Sequence, residues 1–419
     1  MRQRKVFKYK AYSHFDDKKR PANWTSYIKN PEKIKSHGFY PFVHFVMKQI
    51  KYDNIEEKEK AKKRDINYAA HIDRYIYEYY NDLLNEKYNK FAIESGINRC
   101  VVAYRNNLNH NNITIAKEVF NFIKRGNQYY ILIADFSKYF DQINHKYLKS
   151  RLSEVLKCDK LPDDWYKVFR SVTKYSFIDL EKIIEYKGMK QKEVRKLERL
   201  TNTLELHELK KHLQVNPNEY GIPQGSSISS TLANVNLIDY DKCINNFVTS
   251  RNGFYRRYCD DSIIIIPTKD KDDFLEIYNG LNNSTPGIEV NKDKMQEVFY
   301  NDNTIYDHEH NKSKVKYLGF EFDGRICKLR ELTVTCFFLK AYRSIKFVNH
   351  ISKTYKRNAY RKQFYSAFTH LGKKKSKRRK GNFLTYVDRC AKIMDDKTIK
   401  KQTACHWNRF SRKLKNISR

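Results

Sequence analysis

The stretch RRYCDDSIIIIP, residues 256–267, constrains the fold more than any other part of the sequence. Its four consecutive isoleucines predict a buried strand, because β-branched residues favour strands and so apolar a run belongs in a core. Asp260 and Asp261 stand one serine before these isoleucines. Asp is depleted in strands and is rarely buried unless it is paired or bound to a metal. The two carboxylates are therefore expected in a turn that leads into the strand.

A second strand meets a carboxylate far upstream. The β-branched and aromatic run Tyr129–Ala134 is terminated by Asp135. If the two strands are neighbours, with a hairpin turn at Asp260 and Asp261, the three acids converge. Clustered carboxylates repel each other unless cations neutralise them, and Mg²⁺ binds carboxylates together with substrate phosphates. The pattern predicts a site for two Mg²⁺ ions, with Mn²⁺ as a substitute, that supports phosphoryl transfer. Plain acidic loops are the alternative.

The charge balance points to a polyanionic partner. Lys and Arg number 83 against 48 Asp and Glu in 419 residues, a formal net charge of +35. Nucleic acid is the first candidate and an anionic membrane surface the second. The 32 Tyr and 25 Phe favour nucleic acid, because bases stack on aromatic rings while phosphates meet Lys and Arg. The alternative is a basic surface that contacts only solvent and binds no polyanion.

Eight cysteines without a CxxC pair predict reduced thiols in a cytoplasmic protein. The N-terminus lacks the apolar segment of a signal peptide, and no stretch approaches the ~18 apolar residues that span a bilayer. We therefore expect no membrane partner.

Periodicity predicts the main helices. Apolar residues recur at helical spacing from about Asp65 to Tyr88, and a second helix ends at Gly126, where glycine is a typical C-cap. Residues 142–213 are expected to be mostly helical, and Ser227–Ser230 to supply N-caps for the helix that follows. Beyond about Thr333 the chain is predicted to be helical and basic.

Five short sequence blocks follow one another along the chain: ADFSKYFD (134–141), GIPQGSSISSTLAN (221–234), YCDD (258–261), GIEVNKDK (287–294) and YLGF (317–320). Together they resemble the successive palm motifs of reverse transcriptases, over about Ala69 to Phe320. The resemblance implies an α+β right-hand polymerase fold, with fingers, a palm of antiparallel sheet with helices on one face, and a helical thumb. The expected domains are 1–128 (N-terminal extension and fingers), 129–332 (palm, with a helical insert at about 150–215) and 333–419 (basic thumb).

The resemblance also implies catalytic roles. Asp135, Asp260 and Asp261 match the metal-binding aspartates, with Asp261 the less direct ligand. The main-chain carbonyl of Phe136 matches a further metal contact. Lys294 matches a lysine that protonates the departing pyrophosphate, with a plain surface lysine as the alternative. Asp141 is interpreted as structural.

Further positions match sites for nucleotide, primer and RNA. Phe140 matches the steric gate against a ribose 2′-hydroxyl, and Gln224 with Gly225 match the loop beside the incoming nucleotide. Arg105 is a candidate fingers arginine for the triphosphate. The primer grip is expected at Tyr317, Leu318, Gly319 and Phe320. The basic run predicted to bind RNA comprises Lys373, Lys374, Lys375, Lys377, Arg378, Arg379 and Lys380.

The segment INYAAHIDRYIYEYYNDLLNEKYN, the insert after DFSKYFDQINH, and YCDD in place of the commoner Tyr-Ala-Asp-Asp resemble the class 2 defence-associated reverse transcriptases of bacteria most closely. The resemblance implies a structured non-coding RNA as template and scaffold, deoxynucleoside triphosphates as substrates, and a repetitive cDNA product that protects against phage. Retron reverse transcriptases are the next closest group. Priming mode and oligomeric state stay open.

The sequence also bears on three alternatives to RNA-templated DNA synthesis. An RNA-templated RNA polymerase is disfavoured by the bulky Phe140, since ribonucleotides require a smaller residue there. A non-catalytic RNA-binding scaffold is disfavoured by the complete set of three aspartates. Template-independent DNA synthesis is not separated from templated synthesis by the sequence.

Overall fold

The structure, a computed structural model, describes residues 10–18, 24–53, 58–356, 358–373 and 381–414. The elements before the palm are α1 (Trp24–Ile28), α2 (Pro31–Lys35), β1 (Phe42–Asp53), β2 (Lys58–Tyr68), α3 (His71–Glu94) and α4 (Asn112–Arg125). Those from the first palm strand to the end of the insert are β3 (Gln128–Ala134), α5 (Tyr139–Gln142), α6 (His145–Leu156), α7 (Asp163–Thr173), β4 (Ser176–Asp179), α8 (Leu180–Lys187), α9 (Gln191–Val194), α10 (Thr203–Leu209) and β5 (Gln214–Val215).

The remaining elements complete the palm and form the C-terminal region. The palm continues with α11 (Ser229–Asn236), α12 (Ile238–Ser250), β6 (Phe254–Tyr258), β7 (Asp261–Pro267), α13 (Lys271–Ser284), β8 (Gln296–Asn301), β9 (Thr304–Tyr306), β10 (Val315–Tyr317), β11 (Phe320–Phe322) and β12 (Cys327–Leu329). The last helices are α14 (Glu331–Thr354), α15 (Arg361–Phe368), α16 (Phe383–Met394), α17 (Thr398–Lys401) and α18 (His406–Ser411). Within the described residues, no helix is both long and apolar enough to cross a bilayer.

A five-stranded antiparallel sheet in the order β6-β7-β3-β8-β9 forms the centre of the palm. The isoleucine strand β7 lies directly beside β3, with Ile133 opposite Ile263 and Ala134 opposite Ser262. The predicted neighbourhood of the two acid-flanked strands is therefore confirmed.

Both faces of this sheet are buried, which explains the unbroken isoleucine run. Leu132 and Ile264 pack with helices α3, α6, α11, α12 and α13. Ile133 and Ile263, one residue along each strand, face the other way and pack with α4, α16 and the small sheet β10-β11-β12. The expectation of helices on one face is thus incomplete. Because strand side chains alternate between faces, a strand covered on both sides must be apolar throughout.

A second sheet, β2-β1-β4-β5, lies in the region predicted as fingers and insert. Strands β1 and β2 form a long hairpin, and only the first residues of β1 pair with β4. The start of α3 differs from the prediction because Ile66 and Tyr68 pair with β1. Helix α3 begins at His71 and is capped from a distance, since the Asp16 carboxylate accepts hydrogen bonds from the His71 and Ile72 amides at 2.9 and 2.8 Å.

Two predicted helix ends also differ in detail. Helix α4 ends at Gly126 as expected, but the glycine has a φ of −109° and not a left-handed value. A Cβ there would overlap the Tyr129 ring, so packing explains the glycine. The serines before α11 do not cap it, because Ile228 holds the N-cap position and the Ser229 hydroxyl donates to the Pro223 carbonyl at 2.8 Å.

Candidate active site

The β6–β7 hairpin positions the two adjacent acids. Tyr258 pairs with Asp261, so only Cys259 and Asp260 form the turn and Asp261 is the first residue of β7. Cys259 has a φ of +62°, a left-handed conformation that costs a non-glycine residue about 1 kcal/mol or more. The acidic turn is therefore strained and needs contacts that hold it.

The third acid, Asp135, lies at the same end of the sheet as this turn. Ala134 is opposite Ser262, so the next residue, Asp135, comes opposite Asp261. Both continue the alternation of Ile133 and Ile263 and so belong to the same face of the sheet. Asp135 is buried, Asp260 is half-buried and Asp261 is exposed. The structure thus brings the three predicted acids to one end of the two central strands.

Lys294 reaches the same point. Its ammonium contacts the Asp135 carboxylate, while the Asn291 amide donates to the Asp135 carbonyl at 2.8 Å. Among the described residues, no group of three or more His, Cys, Asp or Glu side chains is gathered closely enough to hold a metal ion. The donor set nevertheless fits a hard divalent ion, because it consists of carboxylates and Asp135 already holds a cationic group.

The Phe136 backbone is oriented toward the acidic turn. Phe136 pairs with Val290 through two bonds, from the Ser137 amide to the Glu289 carbonyl at 2.7 Å and from the Asn291 amide to the Asp135 carbonyl at 2.8 Å. Neither bond uses the Phe136 carbonyl. In such a pair that carbonyl points away from the partner strand, here toward the β7 side. Its predicted metal contact is compatible with this geometry.

Phe140 and the loop GIPQG lie side by side. The Ile222 amide donates to the Phe140 carbonyl at 2.9 Å, and the Gln224 side chain lies near Asp141, where it acts to lower the pKa of that carboxyl. Burial and the nearby Asp65 raise the pKa of Asp141. The Phe140 ring is half-buried. The structure therefore brings Phe140 close to the loop that carries Gln224, with Asp141 also near that loop.

Gly225 is required by the protein itself. It has a φ of +122°, and a Cβ would lie 2.5 Å from the Asn67 carbonyl oxygen. The Asn67 amide also donates to the Gln224 carbonyl at 2.8 Å. The close approach expected between Gly225 and a ligand is thus an approach to the end of β2, which fixes the loop against the β1–β2 hairpin.

The predicted primer grip is a two-residue hairpin. Tyr317 pairs with Phe320, and Leu318 and Gly319 between them have φ values of +45° and +89°. Burial and the neighbouring Asp261 raise the pKa of Tyr317, so its phenol lies near Asp261. A turn with two left-handed residues is the type that antiparallel strands favour.

The Arg105 guanidinium is occupied by hydrogen bonds within the protein. It is buried and donates to the Asn89 side chain at 2.8 Å, the Asn98 carbonyl at 2.6 Å and the Val101 carbonyl at 3.1 Å. A guanidinium so occupied holds a loop together. The structure therefore assigns Arg105 a structural role in place of the predicted triphosphate contact.

The basic run of the C-terminal region is described only at its first residue. Lys373 forms an ion pair with Asp388 at 2.8 Å. The other predicted RNA-binding residues, Lys374, Lys375, Lys377, Arg378, Arg379 and Lys380, lie outside the described residues.

Two side chains beside the acidic turn, Arg257 and Tyr104, were not predicted from the sequence. Arg257 is wholly buried against Asp241 of α12. Tyr104, with a φ of +58°, lies beside the turn, since burial and the adjacent Cys259 and Asp260 raise its pKa. The stretch LIDYDKCI contains both Asp239 and Asp241, so the sequence does not show which of them is buried.

Comparison with known proteins identifies the family of most of the chain. The sequence model of the reverse transcriptase (RNA-dependent DNA polymerase) family matches residues 57–322. No curated protein sequence gave a significant match. Among solved structures, apo telomerase from Candida tropicalis is similar with a TM-score of 0.46 and 14% identity, over 96% of this chain and 65% of that one.

Two further telomerase structures are similar. The C. tropicalis enzyme truncated from its C-terminal domain has a TM-score of 0.45 and 14% identity, over 74% of this chain and 59% of that one. Telomerase from Candida albicans in complex with a TWJ fragment of telomeric RNA has a TM-score of 0.43 and 13% identity, over 93% and 65%. The chain thus spans less than two thirds of the length of these telomerases.

An antiparallel palm sheet with aspartates at the ends of its two central strands defines a template-directed nucleotidyltransferase. The chain belongs to the reverse transcriptase family, because the family match covers more than half of it. Residues 57–322 are accordingly an RNA-directed DNA polymerase domain, a class of domain that uses divalent metal ions.

Proposed function

We propose that this chain copies a cognate structured non-coding RNA into cDNA by two-metal nucleotidyl transfer. The observation that carries the proposal is that Asp135 directly follows β3 at the end of the sheet where the β6–β7 hairpin holds Asp260 and Asp261. Such a set of carboxylates in a protein of net charge +35 is explained by cation binding. The same set argues against a non-catalytic scaffold.

The side chains around the acids have distinct roles in this proposal. When bound, two Mg²⁺ ions would activate the primer 3′-hydroxyl and neutralise the triphosphate. Asp135, Asp260 and Asp261 would hold them, together with the Phe136 carbonyl. Lys294 would transfer a proton to the departing pyrophosphate. The Leu318–Gly319 turn would hold the primer terminus near Asp261.

The Asp260→Asn/Asp261→Asn double variant tests the metal assignment. Both substitutions keep side-chain size and remove the charge that binds metal. We expect loss of deoxynucleotide incorporation on a pre-annealed RNA template and DNA primer, with RNA affinity largely retained. The control is Asp293→Asn, an exposed aspartate one residue before Lys294. Normal incorporation by the double variant would refute the two-metal assignment.

A surface outside the polymerase cleft is suited to RNA. Two adjoining cavities of about 500 and 180 Å³ share Lys167 and Arg170 on α7. We call them the α7 groove; its lining residues of basic or aromatic type are Lys35, Phe39, Tyr40, Phe42, Tyr166, Lys167, Arg170, Lys174 and Tyr175. Within the described chain, neither Lys167 nor Arg170 forms an ion pair, and Asp163 is the one acidic residue that lines the groove.

The α7 groove also leads toward the nucleotide site. Burial raises the pKa of Tyr175, and the charges of Asp141 and Asp65 raise it further. Tyr175 therefore lies near Asp141, which directly follows Phe140 in the sequence. Lysine and arginine between aromatic rings form the usual surface for single-stranded nucleic acid. This arrangement supports RNA as the template partner.

The biological setting is part of the proposal. The resemblance of the upstream segment and of YCDD to class 2 defence-associated enzymes supports a role in bacterial, cytoplasmic antiphage defence with a repetitive cDNA product. Sequencing the nucleic acids that copurify with the protein, before and after deoxynucleotides are added, tests template and product together. Products unrelated to any copurified RNA would favour template-independent synthesis.

A further inference from the structure

The acidic turn is connected to a buried ion pair on its far side. Arg257 of β6 and Asp241 of α12 are both fully buried. The Arg257 Nη2 and Nε atoms lie 2.5 and 2.8 Å from the two Asp241 carboxylate oxygens. A bidentate pair of this kind fixes the plane of the guanidinium as well as its position.

The third nitrogen of the same guanidinium reaches the turn. Nη1 donates to the Cys259 carbonyl at 2.8 Å and to the Asn234 side-chain oxygen at 3.2 Å. Asp241 is itself held, because it accepts a hydrogen bond from the Tyr255 hydroxyl at 2.7 Å. One side chain thus links the body of α12 to the peptide that joins Cys259 and Asp260.

A purely stabilising role explains this arrangement poorly. Burying two charges costs several kcal/mol, and well-packed apolar residues often replace such a pair without loss of stability. The contact that apolar residues could not make is the one to the Cys259 carbonyl. Cys259 is also the residue in left-handed conformation. The pair therefore acts where the backbone is strained, directly before Asp260.

We propose that Arg257 and Asp241 are positioning residues that place Asp260 for metal binding by fixing the Cys259–Asp260 peptide. This inference rests on the proposed function, in which Asp260 is a metal ligand. Neither residue would touch metal, substrate or primer, because both lie beneath the turn. Residues that orient metal ligands typically change metal affinity about 10- to 100-fold when they are replaced.

The test compares Arg257→Lys with Arg256→Lys in the full-length protein. Lysine keeps the charge opposite Asp241, but its single nitrogen cannot bridge Asp241 and the Cys259 carbonyl. Arg256 is a matched control, since it also forms a salt bridge, to Glu118 at 2.5 Å, and bonds the Tyr255 carbonyl but not the turn. Mn²⁺ binding without nucleotide is measured by electron paramagnetic resonance, and single-nucleotide incorporation on a pre-annealed primer–template gives kcat and KM.

We expect Arg257→Lys to weaken Mn²⁺ binding about tenfold and to lower kcat at fixed metal, with partial recovery at higher metal concentration and little change in the nucleotide KM. Arg256→Lys should leave Mn²⁺ binding unchanged. If Arg257→Lys fails to fold, Tyr255→Phe replaces it, because it removes one hydrogen bond to Asp241 and no charge. This variant should weaken Mn²⁺ binding in the same direction, to a smaller extent.

The outcomes separate this inference from the proposed function. Unchanged Mn²⁺ binding and kcat in the folded Arg257→Lys or Tyr255→Phe protein would overturn the positioning role. If the Asp260→Asn/Asp261→Asn variant is inactive in that same series, the metal assignment stands and only the positioning role falls. If that double variant retains incorporation, both fall together.

Discussion

The Lys294 ammonium contacts the Asp135 carboxylate, although 159 positions separate the two residues in the sequence. In this contact lysine neutralises a carboxylate that is also proposed to bind metal, so lysine and metal compete for it. Lys294→Gln should therefore tighten Mn²⁺ binding in the absence of nucleotide. The same change should lower kcat about 100-fold, because the departing pyrophosphate loses its proton donor. Electron paramagnetic resonance and single-turnover incorporation measure the two effects.

The opposite signs of these effects make the Lys294 prediction specific. Lys292→Gln is the control, since Lys292 is exposed and lies in the same short helical turn. It should alter neither quantity. Weaker Mn²⁺ binding by Lys294→Gln would show that lysine supports the metal site and does not compete with it.

Phe140→Ala should admit ribonucleotides. The half-buried ring belongs to a residue whose carbonyl accepts a hydrogen bond from Ile222 of the GIPQG loop, where the ribose of an incoming nucleotide is expected. Removing the ring would remove the collision with a 2′-hydroxyl, so the preference for deoxynucleotides should fall by a factor on the order of 100. The ratio of kcat/KM for the two nucleotides measures this. Tyr139→Phe is the control, because the Tyr139 hydroxyl bonds the Ala233 carbonyl at 2.6 Å inside the core. An unchanged ratio in Phe140→Ala would place the gate elsewhere.

The positions of the three aspartates at the ends of the central strands were predictable because the sequence marks them locally. Asp135 and Asp260 each adjoin an apolar strand, and strand and turn preferences act over a few residues. The partners of Arg257 and Arg105 were not predictable, since a buried arginine and an exposed one look alike in a basic sequence. Their roles depend on which chain segments fold against them.

The same limit applies to the fold. The central sheet follows from long apolar runs, but β4 has four residues and no periodicity to detect. The start of α3 is set by Asp16, which lies 55 residues before His71. The helical pattern therefore predicts that a helix exists more reliably than where it begins.

The α7 groove should contribute to RNA affinity. Lys167→Gln/Arg170→Gln removes two cations without a carboxylate partner among the described residues. Binding of an unstructured single-stranded RNA should weaken, and the slope of log affinity against log salt should become less steep by about 1.4. Fluorescence anisotropy over a range of salt concentrations measures both.

A charge-matched control separates the α7 groove from net charge. Lys90→Gln/Lys182→Gln also removes two positive charges, from residues paired with Glu86 and Glu185 away from the groove. It should leave most of the salt dependence intact. Equal losses in the two double variants would mean that the groove has no special role.

Two glycines should respond to alanine in opposite ways. Gly225→Ala introduces a Cβ 2.5 Å from the Asn67 carbonyl at a φ of +122°, so both sterics and backbone strain oppose it. It should destabilise the protein by more than about 1 kcal/mol and lower incorporation. Gly280 lies in α13 with open space around it, so Gly280→Ala should stabilise by about 0.5–1 kcal/mol. Urea unfolding measures the change in the free energy of unfolding for each variant. No change for Gly225→Ala would contradict the packing described.

His14 should make stability depend on pH. Its ring is fully buried, accepts a hydrogen bond from the Phe15 amide at 2.8 Å and bonds the Tyr68 carbonyl at 3.1 Å. Burial lowers the pKa of His14 to about 3, while an unfolded histidine titrates near 6.5. Below pH 6.5 the unfolded chain therefore binds the proton more readily, and the native state loses stability as the pH falls toward 3. Above pH 6.5 the contribution of neutral His14 is fully present.

The His14→Gln variant isolates this contribution. Glutamine can accept and donate as the neutral imidazole does, but it does not titrate. Between pH 7.5 and 5.5 the wild type should lose about 1.3 kcal/mol more of its free energy of unfolding than the variant. The comparison uses the change with pH and not the absolute stability, so a general loss from the substitution cancels. Parallel pH profiles in urea unfolding would show that His14 is protonated to the same extent in the folded and unfolded chains.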